Sequence, residues 1–217
     1  MPGASVHTIA VTTHGRYLAR PATTGPGRVA VVGFHGYMQS ADGLLDELER
    51  LPGSAAWLVV SVQGLHRFYD RGHQAVVASW MTSQDRELAI ADNLAYVAAV
   101  VAAVRAAHPF ERLVFLGFSQ GASMASRAAA HAGEDCQGLV MLGGDIAPEV
   151  RAGAARLPRT VIGRGADDRF YSAERFAEDR DVLDDRGALA AAIEFKGGHE
   201  FTDTFRAAAS ALITALA

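Results

Sequence analysis

Six short apolar runs recur along the chain, and several of them end in glycine. They are residues 28–36 (RVAVVGFHG), 57–62 (WLVVSV), 112–118 (RLVFLGF), 138–144 (GLVMLGG), 159–165 (RTVIGRG) and 191–198 (AAIEFKGG). Consecutive β-branched and apolar residues, without polar alternation, are typical of strands buried on both faces of a parallel sheet. The pattern therefore predicts six such strands.

Between these runs the apolar positions recur at helical spacing. One set shares a helix face and consists of Leu44, Leu45, Leu48 and Leu51. A second set follows steps of three and four residues and consists of Leu88, Ala91, Ala95, Ala98 and Val101. Serine, threonine and glycine mark the starts of three more helices, from Ser119 to about His131, from Ser172 to about Arg186, and from Thr202 to the C-terminus. Alternating strands and helices predict a doubly wound α/β sheet with reactive groups at the carboxyl ends of its strands.

The N-terminal part of the chain has a different pattern. Residues 6–19 are rich in valine, isoleucine, threonine and tyrosine around a turn signal, His14-Gly15. We expect an antiparallel hairpin at the edge of the sheet. No repeat, low-complexity tract or linker divides the sequence, so we expect a single domain over residues 1–217.

Composition narrows the classes of partner. The chain has 217 residues, half of them hydrophobic, a formal charge of −4 and a pI near 6.0, which gives no basic surface for nucleic acid or an anionic membrane. The apolar stretch 94–104 is closed by Arg105 and falls short of the roughly 20 residues that a membrane span needs. Cys136 has no partner for an intrachain disulfide. The first residues lack the positive charge and apolar core of a secretion signal, so we expect a protein that is not secreted. We expect a cytoplasmic protein that acts on a small molecule.

Ser119 carries the candidate chemistry. It directly follows the third apolar run, stands at the start of a predicted helix, and has Gly117 and Gly121 two positions away on either side. A serine in a sharp strand-to-helix turn exposes its hydroxyl, and flanking glycines remove the side chains that would collide there. The sequence therefore predicts a nucleophilic serine, although a serine after a strand can also serve only as a helix cap.

A serine hydroxyl needs a base to remove its proton and an acid to orient that base. Asp167 and Asp168 come directly after the fifth run, and His199 follows the sixth. This order of nucleophile, acid and histidine is that of the α/β-hydrolases. Spacing from the strand alone leaves both aspartates open as the acid. The backbone N–H of Gln120, directly after the serine, is a candidate donor to the oxyanion of an acyl-transfer reaction.

The motifs GFSQG, GFHGY, GRGADD and GGHE resemble those of the phospholipase/carboxylesterase group of α/β-hydrolases, which includes the acyl-protein thioesterases. The resemblance extends from about residue 28 to the end of the chain. It implies Asp168 as the acid, three positions after Gly165, and Tyr37 as the second oxyanion donor, with Met38 as the alternative. The chain departs from the group at Ala122 and in GYMQSAD, which leaves the substrate open.

The long segment 63–84 is a candidate wall of the substrate pocket, because long loops of compact domains are often functional. We expect Trp80 and Met81 from this segment, and Met38 after the first run, to bind substrate. His66, Phe68, Tyr69 and His73 are further candidates to line an acyl or leaving-group pocket. The histidine spacing is not that of a zinc site, and the sequence predicts neither a metal nor a cofactor.

The stretch DIAPEVRAGAARLP between the fourth and fifth runs is too short for a cap domain, so we expect an open, shallow site. The resulting hypothesis is a serine hydrolase that forms an acyl-enzyme from carboxylic esters or thioesters. The alternatives are a serine peptidase, which usually has a gating domain, and a ligand-binding module without turnover. The oligomeric state is open.

Overall fold

The computed structural model describes residues 3–217. Nine strands are present in this part of the chain: β1 Arg16–Arg20, β2 Val29–Phe34, β3 Leu58–Gln63, β4 His66–Tyr69, β5 Val76–Ser79, β6 Arg112–Phe118, β7 Gly138–Leu142, β8 Arg159–Gly165 and β9 Leu189–Phe195. The α-helices are α1 Ala41–Glu49, α2 Arg86–Ala107, α3 Gln120–Ala132, α4 Pro148–Ala152, α5 Ala173–Asp185 and α6 Asp203–Thr214.

Seven strands form the main sheet in the order β1-β3-β2-β6-β7-β8-β9. The six predicted strands are β2, β3, β6, β7, β8 and β9, and each pairs in parallel with its neighbours in this group. β2 and β3 are buried along their whole length, as the unbroken apolar runs predict. The doubly wound, mostly parallel sheet is therefore confirmed.

Helices cover both faces of this sheet and bury a separate core on each. One core contains Val97 of α2, Met124 of α3 and Leu183 of α5. The other contains Leu48 of α1 and Phe205 of α6. The three helices predicted to start at Ser119, Ser172 and Thr202 are present. The side chains of Ser172 and Thr202 accept a backbone N–H of the first turn, whereas Ser119 makes no such bond.

The predicted N-terminal hairpin is wrong. β1 alone forms the antiparallel edge of the sheet, and its partner is β3 rather than an upstream strand. Residues 3–15 form neither strand nor helix, and Val6, Ile9 and Val11 are exposed. Their side chains find no surface to bury against, so β propensity alone does not make them a strand.

The segment predicted as a long loop contains a hairpin of its own. β4 pairs with β5 in antiparallel, outside the main sheet. Ala78 of β5 is bridged to Gln39 in the loop that follows β2. The hairpin therefore lies against the loop at the carboxyl end of β2.

Between β7 and β8 the described chain forms only the five-residue helix α4, and no cap domain is evident. In the described chain, no inserted domain therefore covers the carboxyl ends of the parallel strands. Within residues 3–217, α2 is the one helix long and apolar enough to cross a membrane by length and composition. It lies along the sheet with Val97, Val100 and Val104 buried, as core helices of globular domains do.

Candidate active site

Ser119 occupies a strained turn between β6 and α3. Its φ of 55° and ψ of −122° are unusual for a residue with a side chain. A Cβ atom on Gly117 would lie 2.1 Å from the carbonyl oxygen of Gly121, and one on Gly121 would lie 2.0 Å from that of Phe34. Both glycines are thus required by close backbone contacts, and the predicted strand-to-helix turn is present.

Asp168 and His199 form a hydrogen-bonded pair. Asp168 follows β8, His199 follows β9, and the distance between Oδ2 and Nδ1 is 2.8 Å. The other carboxylate oxygen accepts the backbone N–H groups of Phe170 at 2.8 Å and Tyr171 at 3.0 Å. Because a carboxylate only accepts, Nδ1 of His199 carries the proton and Nε2 is free to act as a base.

The two adjacent aspartates have different surroundings. The Asp168 side chain is 1% exposed, whereas Asp167 is exposed and its backbone N–H donates to Gly197. The structure therefore brings Asp168, and not Asp167, to His199.

His199 and Ser119 both lie close to the glycine pair that follows β7, Gly143-Gly144. A Cβ atom on Gly143 would lie 3.0 Å from Nδ1 of His199, and one on Gly144 would lie 2.2 Å from the carbonyl oxygen of Ser119. Among the hydrogen bonds of residues 3–217, none joins the Ser119 hydroxyl to His199. Such contacts are often long in unliganded enzymes and tighten when substrate binds.

The loop after β2 is held against Ser119 by a buried histidine. Nε2 of His35 accepts the backbone N–H of Gly64 at 3.0 Å, so the proton of the neutral ring is on Nδ1. The Nδ1–H of His35 donates to the Gly36 carbonyl at 2.7 Å. Burial lowers the pKa of His35 and so favours this neutral form. A Cβ atom on Gly36 would lie only 3.1 Å from the Ser119 Cβ, which shows how closely the loop approaches the serine.

The candidate oxyanion donors are backbone N–H groups, and they differ in whether they already donate a hydrogen bond within the protein. Met38 N–H donates to the Ala78 carbonyl at 3.1 Å, which removes it as the alternative donor. Within the described residues, the backbone N–H groups of Tyr37 and Gln120 have no protein acceptor. These two amides therefore stay available, and their oxyanion role stays a prediction.

Trp80 is wrongly predicted as a substrate-binding residue. Its side chain is fully buried, and its Nε1–H donates to the His35 carbonyl at 2.8 Å. The Gln120 side chain accepts Trp80 N–H at 2.9 Å and donates to the Met81 carbonyl at 3.0 Å. Trp80 thus supports the loop that carries Tyr37, whereas Met81 is half-buried.

A cleft of about 450 Å³ opens beside His199. Apolar side chains supply much of its lining: Met38, Leu44, Val77, Phe118 and Phe201. Its polar lining residues are Gln39, Ser40, Glu47 and Glu200. Met38 lines this cleft, and its role in substrate binding stays a prediction. Two other clefts, of about 390 and 420 Å³, contain none of the candidate catalytic residues.

Three phenylalanines near His199 were missed by sequence reasoning. The ring centroids of Phe118 and Phe170 lie 4.7 and 4.9 Å from that of His199, and Phe201 lies 5.2 Å from Phe118. Phe170 is 83% exposed. Each is within two residues of a candidate catalytic residue, which is the signal that could have identified them.

The aromatic residues of the β4–β5 hairpin are the remaining candidates for the pocket. They make contacts within the hairpin or with the loop after β2. The ring of Phe68 lies 5.9 Å from that of Tyr37, and Tyr69 lies 6.3 Å from His73. In the part of the chain that the structure describes, no three His, Cys, Asp or Glu side chains come together as a metal site would require.

Comparison with known proteins agrees with this architecture. The sequence model of the family described as the alpha/beta hydrolase fold matches residues 53–180, more than half of the chain. The chain belongs to the α/β-hydrolase fold family. No curated protein matches the sequence of this α/β-hydrolase.

Solved structures resemble the α/β-hydrolase over nearly its whole length. Esterase PE8 has a TM-score of 0.74 at 20% identity, with 94% of this chain and 100% of that chain covered. A carboxylesterase from Mesorhizobium loti has a TM-score of 0.73 at 20% identity, covering 92% and 93%. Zea mays acyl-protein thioesterase 2 has a TM-score of 0.70 at 18% identity, covering 93% and 99%. At these identities the likeness shows a shared fold.

Proposed function

We propose that this α/β-hydrolase is a serine hydrolase that cleaves carboxylic esters or thioesters through an acyl-enzyme. The observation that carries the proposal is the hydrogen bond from His199 to the buried Asp168, near a serine in a strained turn. The similar structures include an esterase, a carboxylesterase and an acyl-protein thioesterase, which supports ester or thioester chemistry.

In the proposed reaction, Nε2 of His199 takes the Ser119 proton while the serine oxygen attacks the substrate carbonyl carbon. The N–H groups of Tyr37 and Gln120 donate to the resulting oxyanion. The bond to the leaving group then breaks, and His199 returns the proton to that group. Water attacks the acyl-enzyme by the same route, and Asp168 stabilises the imidazolium at each stage.

The cleft beside His199 supports a small-molecule substrate with an apolar part. Its apolar lining suits an acyl chain or an apolar leaving group, and a described site without a cap domain suits a flexible substrate. We expect activity on short-chain esters, because no cap domain encloses the described site. Turnover confined to bulky substrates that must be fully enclosed would contradict an open site.

The test is labelling by a fluorophosphonate probe together with hydrolysis of short-chain p-nitrophenyl esters and a matching thioester. Ser119→Ala should abolish labelling, and both Ser119→Ala and His199→Ala should lower kcat by at least about 10⁴-fold. Ser123→Ala is the matched control, because Ser123 lies one turn further along α3 and donates to Asp145 instead. A folded wild-type protein with neither labelling nor turnover would favour the ligand-binding module.

A further inference from the structure

Tyr171 joins the carboxylate that faces His199 to a second buried carboxylate. Its backbone N–H donates to Asp168 at 3.0 Å, and its hydroxyl donates to Oδ2 of Asp179 at 2.7 Å. Its carbonyl also accepts Nε–H of Arg164 at 3.2 Å. Tyr171 is therefore held at both ends, with only two residues separating it from Asp168.

Asp179 is the fixed end of this connection. It lies on α5, is fully buried, and accepts a hydrogen bond from Arg151 of α4. Both of its oxygens also lie 3.3 Å from the backbone nitrogen of Ile146. Ile146 follows the Gly143-Gly144 pair that lies close to His199 and Ser119. One side chain thus ties α4, α5, the loop after β7 and the loop after β8.

Several charges face Asp179 from the elements around it. Burial raises its pKa to about 6, and the nearby Asp145 carboxylate acts in the same direction. The Tyr171 hydroxyl, Arg151 and the Ile146 N–H act against this by stabilising the charged form. On its own helix, Glu178 lies 3.5 Å from Arg151 at the surface. A buried carboxylate is a poor source of stability compared with an apolar side chain, so its presence calls for a role in positioning.

We propose that Asp179 is a positioning residue that, through Tyr171, holds Asp168 in the geometry needed to orient His199. The inference rests on the proposed function for its catalytic readout. Asp179 does not touch the substrate. It anchors the Tyr171 side chain, and the Tyr171 backbone in turn supplies one of the two N–H donors to the Oδ1 atom of Asp168.

The consequence of losing this anchor follows from geometry. Without the Asp179 contact, the loop from Asp168 to Tyr171 keeps the bond from Arg164 but loses its side-chain anchor, so we expect the loop to shift and the Asp168–His199 bond to lengthen or tilt. Misplacement of a catalytic group by about 1 Å can cost on the order of 100-fold in rate. The cleft beside His199 is lined by neither Tyr171 nor Asp179, so we expect KM to change little.

The experiment compares Tyr171→Phe, Asp179→Ala and Asp179→Asn with wild type in p-nitrophenyl butyrate hydrolysis. We expect Tyr171→Phe to lower kcat about 10-fold and Asp179→Ala about 100-fold, with KM within about twofold. Asp179→Asn keeps an acceptor for the Tyr171 hydroxyl and should recover part of the loss. In proton NMR, the downfield signal of the His199 Nδ1–H should move upfield or broaden in Tyr171→Phe and Asp179→Ala.

Two controls separate positioning from stability. Tyr96→Phe removes a hydroxyl that donates to the Arg16 carbonyl, also at 2.7 Å, far along the chain from Asp168. Glu178→Gln removes the charge of the α5 residue that is next to Asp179 and lies 3.5 Å from Arg151. Both should keep wild-type kcat and the wild-type NMR signal. If Asp179→Ala does not fold, Tyr171→Phe decides the outcome.

A folded Tyr171→Phe variant with wild-type kcat and an unchanged His199 signal would overturn the proposal. The NMR signal does not depend on turnover. If the wild-type protein hydrolyses no ester, the proposed function fails, and the shift of the His199 signal in Tyr171→Phe still tests the positioning role.

Discussion

At the scale of single residues, the backbone around Ser119 combines strain with close contact. Holding a residue in such a conformation costs on the order of 1–3 kcal/mol, which the surrounding structure must offset. Ser119 N–H donates to the Leu142 carbonyl at 2.8 Å, so the turn is fixed to β7 as well as to β6 and α3. The hydroxyl is therefore presented by three elements of the core rather than by a mobile loop.

The choice between adjacent aspartates gives a direct test at this scale. Asp168→Asn should lower kcat on p-nitrophenyl esters by about 10⁴-fold, because the amide no longer favours the Nδ1–H form of His199. Asp167→Asn is the control and should keep activity within about twofold, because Asp167 is exposed. Comparable losses in both variants would contradict the assignment of the acid.

At the scale of elements, α2 illustrates why periodicity can select the wrong helix face. The predicted stripe includes Leu88, which is 51% exposed, and Ala91, Ala95 and Ala98, which are also exposed. The buried face consists instead of Ile90, Asn93, Val97, Val100 and Val104. The apolar residues of α2 are distributed around its whole circumference, so its composition alone does not reveal which face packs against the sheet.

Substitutions on the two faces of α2 should separate them. Ile90→Ala should lower the free energy of unfolding by about 2–5 kcal/mol, because it removes buried methyl groups and leaves a cavity. Leu88→Ala, on the exposed face, should change it by less than about 0.5 kcal/mol. Urea unfolding monitored by circular dichroism measures both. A larger loss for Leu88→Ala would mean that the helix is rotated relative to this structure.

The β4–β5 hairpin is the other element whose role depends on its contacts. Ala78 accepts Met38 N–H at 3.1 Å and donates its own N–H to the Gln39 carbonyl at 2.9 Å. These bonds occupy Met38 and leave the amide of Tyr37 without a protein acceptor in the described chain. The hairpin thereby selects which backbone amide of the loop is available.

At the scale of the whole molecule, an ion-pair cluster joins three helices beside the sheet. Glu149 of α4 accepts hydrogen bonds from Arg86 of α2 and from Arg127 of α3. Burial alone would raise the pKa of Glu149, but these two guanidinium groups outweigh it and lower the pKa to about 2. The carboxylate therefore stays charged in the folded protein to a lower pH than in the unfolded chain.

This cluster predicts a specific acid response. Because the folded pKa is below the unfolded value of 4.5, Glu149 stabilises the fold above pH 4.5, and that contribution is lost as the pH falls towards 2. Glu149→Gln should lower the free energy of unfolding at pH 7 and flatten its decline between pH 4.5 and 2. Glu134→Gln, on an exposed carboxylate, should reproduce the wild-type curve in urea unfolding across this range. The opposite ranking would contradict the cluster.

Much of the fold and part of the site could be predicted without the structure. The six parallel strands, the turn at Ser119 and the strand ends that carry Asp168 and His199 depend on local apolar runs and on glycines, which the sequence displays directly. The catalytic roles of these residues, the single-domain assignment and the cytoplasmic location stay predictions.

The remaining features depend on which side chains meet across long distances in the chain. The sequence determined the order of strands and helices and the positions of the polar residues that follow the strands. Both depend on local patterns of neighbouring residues along the chain. Only the tertiary structure decided that β1 pairs with β3 alone, that Trp80 is buried under His35, and that Asp179 holds Tyr171. Burial and hydrogen-bond partners are set by packing between distant elements, and one residue's local pattern does not contain that information.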